Sequence, residues 1–348
     1  MILRKLNNNI NEEYYLANIE ANNEDFRESL INNNFNFPEE TPVEIHPYLD
    51  MFELQSYNKY IIGTFPPIGY MRDQLNIPNE LGTVLVKPKI PFYHGNDCVM
   101  WKVFFDEHEL DQIGPMIADN DQRFNQRQLI IDKLNEKEIN YSDIIYSVKR
   151  TAYDTKDQSL HNIVPNYKLI CHILTNENAV YLNFNTSTVF SNQELGIVPN
   201  NHGVHIAGDL RESIVGSYNL FLKILQKLEF KLEVNLMNDN NWIVINQESA
   251  EYLNTSYRFK AYSKLRISTI NKVMINLVEF ENFHKELIII TGPSPSGQAS
   301  RSMGRNLIYQ NWRELNQNHN IATPTIAFRK DFYQNFIDQP ELLIEWNI

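Results

Sequence analysis

The sequence predicts an α/β protein: a central parallel sheet of four strands flanked by helices. The main observation is a set of short, β-branched apolar runs that stop abruptly at glycine and proline. Buried parallel strands have this pattern, and each delivers a loop to the sheet edge where α/β proteins bind ligands. Two of the loops share a design, namely Gly63-Thr-Phe-Pro-Pro67 and Gly292-Pro-Ser-Pro-Ser-Gly297. The four predicted strands are Lys59–Gly63, Asp143–Thr151, Ala179–Phe184 and Leu287–Ile290.

The chain divides into a core and two additions. Residues 1–44 read as a polar, partly helical N-terminal extension, and the core is expected over 45–190 and 285–348. Residues 191–284 are longer than the strand-to-strand connection that a compact core needs, so they are predicted to be an insertion or subdomain. Helical spacing predicts Arg127–Leu134, Val164–Leu174 and Ile214–Leu228 as helices. The insertion also contains a β-type run, Trp242–Asn246.

Composition narrows the class of protein. Hydrophobic residues make up 43% of the 348 residues, as in soluble proteins, and no apolar run predicts a membrane span. The first six residues do not continue as a secretory signal, and two cysteines (Cys98 and Cys171) fit a reducing cytoplasm. His202 and His205 lack a third neighbouring ligand, so no metal or other cofactor is expected. A net charge of −12 excludes a protein that coats nucleic acid through many phosphate contacts, but it allows an enzyme that binds a few phosphates locally.

The loop after the last predicted strand has the composition of a phosphate-facing edge. Ser294 and Ser296 supply hydroxyls, Arg301 and Arg305 supply positive charge, and no acidic residue lies between Thr291 and Arg313. A nucleotide P-loop would continue with lysine and Ser/Thr, whereas Gln298 and Ala299 follow here. A nucleophile elbow needs Gly-x-Ser-x-Gly, and this loop has one residue too many.

Taken in order, these motifs resemble the uracil-DNA glycosylase superfamily, and most of all its hypoxanthine (deoxyinosine) DNA glycosylase branch. The two Gly/Pro loops are similar to the family's first and second motifs. Phe92-Tyr93…Trp101, Asp143–Arg150 and Asp157 are similar to the intervening segments of the branch. The resemblance covers roughly residues 45–190 and 285–318.

The resemblance implies a DNA partner, base flipping and hydrolysis of the N-glycosidic bond without a cofactor. It assigns catalysis to Asp97, with Asn96 as the alternative water-positioning residue, and base contacts to Phe65, Tyr93 and Asn185. Phosphate contacts fall on the loops, with Met303 as a wedge in the vacated base stack; the phosphate-contacting residues are Gly63, Pro66, Ser294, Ser296, Arg301 and Arg305.

Structural roles compete with these assignments. Asp97 is equally suited to cap the following helix, Phe65 and Tyr93 suit a core, and Met303 suits a core contact at a helix start. Asp143 and Arg150 are expected to form an ion pair that braces the loops. The basic and aromatic stretch Tyr257–Arg266 suits either a solvated face or single-stranded nucleic acid.

The chain departs from the family pattern at three positions. Phe65 occupies the first-motif position that often carries Asp or Asn. Cys98 aligns with the catalytic Asn of the branch, and Gly292 with the His or Asn that often opens the second motif. Two rivals therefore stay open: a catalytically silent nucleic-acid-binding module of the same fold, and an unrelated α/β hydrolase.

Overall fold

The computed structural model describes residues 12–19, 21, 43–66, 100–106, 108–109, 120–150, 160–185, 217–228, 230–235, 242–245, 270–277, 280–293, 307–317 and 321–346. Within them the strands are β1 (Glu44–Ile45), β2 (Lys59–Gly63), β3 (Ile139–Asp143), β4 (Ile145–Arg150), β5 (Leu160–Pro165), β6 (Tyr181–Phe184), β7 (Phe230–Asn235), β8 (Trp242–Ile245), β9 (Ile270–Leu277) and β10 (Phe280–Thr291). The helices are α1 (12–19), α2 (Trp101–Phe104), α3 (Asn120–Glu136), α4 (Tyr167–Thr175), α5 (Ser217–Lys227), α6 (Leu307–Leu315), α7 (Pro324–Asp338) and α8 (Leu342–Glu345).

The main sheet has seven strands in the order β3-β2-β6-β10-β9-β7-β8. Strands β3, β2, β6 and β10 are parallel to one another. Strands β9, β7 and β8 continue the sheet in antiparallel fashion beyond β10. The predicted α/β class is confirmed. The sheet itself is larger and mixed, because strands from the predicted insertion extend it.

Each face of the sheet carries its own hydrophobic core. Strand β10 shows the alternation: Leu287 and Ile289 belong to one buried cluster, and Ile288 and Ile290 belong to the other. Helices α4 and α5 pack on the first face, while α3, α6 and α7 pack on the second. Burial on both faces explains why β2 and the end of β10 read as continuous apolar runs in the sequence.

The predicted strand Asp143–Thr151 is wrong in its boundaries. Asp143 ends β3, the chain turns at Ile144, and β4 joins a separate antiparallel sheet in the order β1-β4-β5. The turn is fixed because the Ile144 N–H donates to the Gly63 carbonyl at 3.1 Å. The polar residues Asn140, Ser142 and Asp143 give β3 no apolar run, so the sequence pattern begins a strand only at Asp143 and hides the change of sheet.

The predicted helix Val164–Leu174 also starts too early. Residues up to Pro165 belong to β5, and α4 begins at Tyr167 after the N-cap Asn166. The Asn166 side chain accepts from the Leu169 N–H at 3.2 Å and donates to the Asp143 carbonyl at 2.9 Å. One residue therefore both caps α4 and holds the end of β3.

Elements outside the predicted core are joined to it. Helix α5 contributes Phe221 and Ile224 to the same buried cluster as the parallel strands. In α1, the Tyr14 ring stacks on Tyr146 with centroids 3.7 Å apart, and its hydroxyl donates to the Pro165 carbonyl at 3.3 Å. The N-terminal extension is therefore fastened to the core through an aromatic stack.

Candidate functional site

Four parallel strands end at the same level at their carboxyl edge. Gly63 is in register with Asp143, and Phe184 is in register with both Ile62 and Thr291. The next residues along β6 and β10, Asn185 and Gly292, therefore lie level with Gly63. We call Asp143, Gly63, Asn185 and Gly292 the edge row, in their order across the sheet. Ligands of open α/β sheets bind at this edge.

Residues of the separate three-stranded sheet β1-β4-β5, which we call the small sheet, hold the loop after β2. The Arg150 guanidinium donates to the Pro66 carbonyl at 2.7 Å, and its Nε lies 2.9 Å from both carboxylate oxygens of Glu44. This ion pair is buried, and burial raises the pKa of Glu44 against the opposing pull of Arg150. The predicted Asp143–Arg150 ion pair is wrong, because Arg150 binds Glu44 and Asp143 binds His46.

Phe65 packs against His46 and Arg150. Its ring meets the His46 ring edge-on with centroids 5.3 Å apart, and the Arg150 guanidinium carbon lies 5.6 Å from the ring centroid. Only 8% of the residue is exposed. A ring committed to these contacts packs the loop against the small sheet. The base contact assigned to Phe65 stays a prediction and would require the ring to leave this position.

Gly63 is required by the close approach of a carboxylate. A Cβ at Gly63 would lie 2.0 Å from Asp143 Oδ1, a separation that real side chains do not show. The side chain of Asp143 therefore fills the space that any other residue at position 63 would occupy. The phosphate contacts assigned to Gly63 and Pro66 stay predictions.

The loop after β10 is held from the second face of the sheet. The Gly292 N–H lies 3.1 Å from both the Phe184 carbonyl and Asn183 Oδ1, and the Tyr333 hydroxyl of α7 donates to the Pro293 carbonyl at 2.8 Å. A Cβ at Gly292 would lie 2.5 Å from Asn183 Oδ1. Both loops of the edge row therefore begin at a glycine and are fixed through a proline carbonyl.

Asn185 lies between the two loops. Its backbone N–H donates to the Ile62 carbonyl at 2.9 Å. Its side-chain amide donates to the Tyr141 hydroxyl at 3.4 Å, and its Oδ1 lies 3.4 Å from the Tyr333 hydroxyl, whose single proton goes to the Pro293 carbonyl at 2.8 Å. Both contacts of the Asn185 amide are long and therefore weak. The residue is only 2% exposed, so a ligand reaches its amide only when the groups above it move.

The carboxylate of Asp143 is held by a histidine. His46 Nε2 lies 2.9 Å from Asp143 Oδ2, and both side chains are buried. His46 Nδ1 accepts the Tyr48 backbone N–H at 3.1 Å. An acceptor nitrogen carries no proton, so the proton is on Nε2 and is donated to Asp143.

Two further buried polar atoms lie on strands of the edge row. Asn183 Nδ2 and Thr291 Oγ1 have no hydrogen-bond partner in the part of the chain that the structure describes. A buried unpaired polar atom destabilises the fold by about 1–3 kcal/mol unless water or a ligand meets it. Buried polar side chains therefore lie next to the edge row on both faces of the sheet.

The other predicted site residues lie outside the described residues. They are Tyr93, Asn96, Asp97, Ser294, Ser296, Arg301, Met303 and Arg305. Of the predicted set, the structure brings together Gly63, Phe65, Pro66 and Asn185.

Sequence reasoning missed His46, Glu44, Asn183, Tyr141 and Tyr333 as parts of this edge. Asn183 carried a usable signal, because an amide inside the apolar run Tyr181–Phe184 needs a partner. His46 and Glu44 carried none, since their partners lie 97 and 106 residues away in the sequence.

Comparison of the chain with known protein families, curated proteins and solved structures finds no match. Among the described residues, no helix has the length and apolar character to span a bilayer. In the same part of the chain, no group of three or more His, Cys, Asp or Glu side chains is placed to hold a metal ion.

Proposed function

We propose that the protein is a monofunctional DNA glycosylase that flips a damaged or modified base out of DNA and hydrolyses its N-glycosidic bond. The observation that carries this proposal is the edge row. It starts two glycine–proline loops on either side of Asn185, at the carboxyl edge of parallel strands. The product is an abasic site, and neither metal nor nucleotide cofactor takes part.

Stiff loops suit the phosphate contacts of such an enzyme. Phosphate contacts set the register of a protein on DNA without reading its sequence. The Arg150 bond to Pro66 and the Tyr333 bond to Pro293 fix the start of each loop. Ser294 and Ser296 follow Pro293 directly, with Arg301 and Arg305 further along, so hydroxyls and positive charge continue from a fixed point.

The base would be read from between the loops. A base inside a duplex is unreachable, so glycosylases extrude it into a pocket and contact its edge. The Asn185 amide carries both N–H donors and a carbonyl acceptor, a combination that matches a base edge. Its weak contacts with Tyr141 and Tyr333 can be exchanged for bonds to a base. Because Asn185 is buried, a base contacts its amide only after the groups that cover it move.

Glycosidic cleavage passes through a cation-like sugar. A nearby anion stabilises this sugar, and a positioned water attacks it to complete the hydrolysis. Asp97 or Asn96 supplies this function in the proposal, with Tyr93 stacking on the base and Met303 filling the gap in the duplex. Deaminated bases are one substrate class. Bulky modified bases of phage DNA are the other, which would make the protein a defence enzyme.

The proposal is tested with oligonucleotides that carry uracil, hypoxanthine, xanthine or 5-hydroxymethylcytosine, together with phage DNA containing modified bases. The products are treated with alkali, which cleaves abasic sites. We expect strand cleavage for at least one substrate, and its loss in Asn185→Leu. The exposed Asn178→Leu is the matched control and is expected to retain activity.

Three outcomes separate the alternatives. Abasic sites that depend on Asn185 support the glycosylase. DNA binding without abasic sites indicates a silent nucleic-acid-binding module of the same fold. Absence of both binding and cleavage contradicts the proposal and leaves the unrelated α/β hydrolase as the remaining reading of the loops.

A further inference from the structure

Asp143 occupies the end of the edge row, beside the first loop. It closes β3 in register with Gly63, and Asn166 holds its backbone carbonyl from the N-terminus of α4. The residue is 4% exposed. A carboxylate at this edge of a parallel sheet lies where the chemistry of α/β enzymes takes place.

One oxygen of this carboxylate is committed to His46. The imidazole is neutral, because its Nδ1 accepts the Tyr48 N–H and its Nε2 donates to Asp143 Oδ2. The His46 backbone is itself fixed by a bond from its N–H to the Tyr146 carbonyl at 2.8 Å. Both ring nitrogens are occupied, so His46 holds the carboxylate in one orientation and is not placed to accept a proton from a substrate.

The second oxygen faces the first loop. Asp143 Oδ1 lies over Gly63, 2.0 Å from where a Cβ of that residue would stand, whereas the bond from His46 goes to Oδ2. Arg150 does not neutralise it, because that guanidinium binds Glu44 and the Pro66 carbonyl. Buried carboxylates are normally paired or hydrogen-bonded, since leaving one bare is costly. Here His46 holds one oxygen and the other borders the first loop, so the carboxylate is oriented at the sheet edge where ligands of α/β proteins bind.

We propose that Asp143, in place of Asp97 or Asn96, is the catalytic carboxylate of the glycosylase and that His46 is its positioning residue. The inference rests on the proposed function. Oδ1 removes a proton from the attacking water as the water oxygen bonds to the sugar C1′. The C1′–N bond breaks, its electron pair stays on the base nitrogen, and a proton returned from Asp143 or solvent completes the free base. The negative charge also stabilises the cation-like sugar.

The conservative variant Asp143→Asn tests the chemical role. Asparagine keeps the shape of the side chain and an oxygen that accepts from His46. We expect its single-turnover excision rate to fall by about 100-fold or more, the usual contribution of a general base. DNA affinity and the thermal unfolding midpoint are expected to stay near those of the wild type. Asp50→Asn, at an exposed carboxylate paired with Lys168, is the matched control.

Two further variants distinguish chemistry from packing. Asp143→Ala leaves room for formate, and added formate is expected to restore part of the rate because it replaces the lost carboxylate. At position 46, glutamine keeps a donor at the place of Nε2 and asparagine does not. We expect His46→Gln to retain activity and His46→Asn to lose about tenfold or more, as a misplaced catalytic group does.

The substrates are the uracil, hypoxanthine, xanthine and 5-hydroxymethylcytosine oligonucleotides, and Asp97→Asn is measured in parallel. If the wild type excises a base and Asp143→Asn does so at the same rate, Asp143 is not catalytic and only this inference fails. Failure of both Asp143 variants to fold makes the residue structural and also overturns it. If the wild type excises no base, the proposed function itself fails.

Discussion

Replacing Gly63 with alanine tests the packing at the centre of the edge row. The new Cβ would lie 2.0 Å from Asp143 Oδ1 and 3.1 Å from Asp143 Cγ, whereas real Cβ atoms essentially never come within 3.0 Å of another heavy atom. Either the carboxylate turns away or β2 moves. The first change breaks the bond from His46 at 2.9 Å. The second disturbs the Ile144 bond to the Gly63 carbonyl and the pairing with β3.

Both responses have known magnitudes. Losing a hydrogen bond to a charged group destabilises by about 1.5–3 kcal/mol. Crowding a packed core destabilises by about 1–3 kcal/mol. Because the structure takes the easier of the two routes, we expect Gly63→Ala to lower the free energy of unfolding by about 2 kcal/mol.

Urea unfolding of four proteins provides the assay: the wild type, Gly63→Ala, Asp143→Ala and the double variant. Truncating Asp143 removes the oxygen that the new Cβ would meet. The effect of Gly63→Ala should therefore shrink to about 0.5 kcal/mol in the Asp143→Ala background, as a double-mutant cycle detects. An equal loss of stability in both backgrounds would refute the close approach of these two residues.

Two further predictions concern the supports of the edge row. Glu44→Gln leaves the buried Arg150 without its carboxylate, so urea unfolding should show that the free energy of unfolding falls by about 3–5 kcal/mol. A smaller fall is expected when Glu44→Leu is combined with Arg150→Met. An unchanged free energy of unfolding in Glu44→Gln would contradict the stabilising role of this ion pair. Burial lowers the pKa of His172, which lies 2.9 Å from the Tyr60 hydroxyl. The unfolded chain then binds the proton more readily, so stability is complete above the ordinary histidine pKa of 6.5 and declines as the pH falls through it. His172→Gln should flatten this decline in thermal unfolding midpoints measured across that pH range, and an unchanged slope would contradict the assignment.

Local pattern was sufficient for the strands that form the edge row. Apolar β-branched runs ending at Gly63 and Gly292 predicted β2 and the end of β10, and the end of β6 placed Asn185 at the edge. These elements are buried on both faces, so their composition alone distinguishes them from loops and surface helices.

Contacts between distant segments were beyond that reasoning. The run from Asp143 to Thr151 reads as one strand, but hydrogen bonds from Ile144 and Asn166 end β3 at Asp143 and send β4 to another sheet. Strands β7 and β9 join the main sheet through pairings that no local period specifies. The pairing of His46 with Asp143 likewise depends on where β1 and β3 meet in space.

The glycosylase proposal is tested most directly by weighing its two products. DNA carrying each candidate base is incubated with the protein, and mass spectrometry measures the released base and the abasic sites. We expect the two to appear in equal amounts for one class of base and to fall together in Asp143→Asn. Intact DNA with every substrate, or a released nucleotide in place of a free base, would contradict base excision.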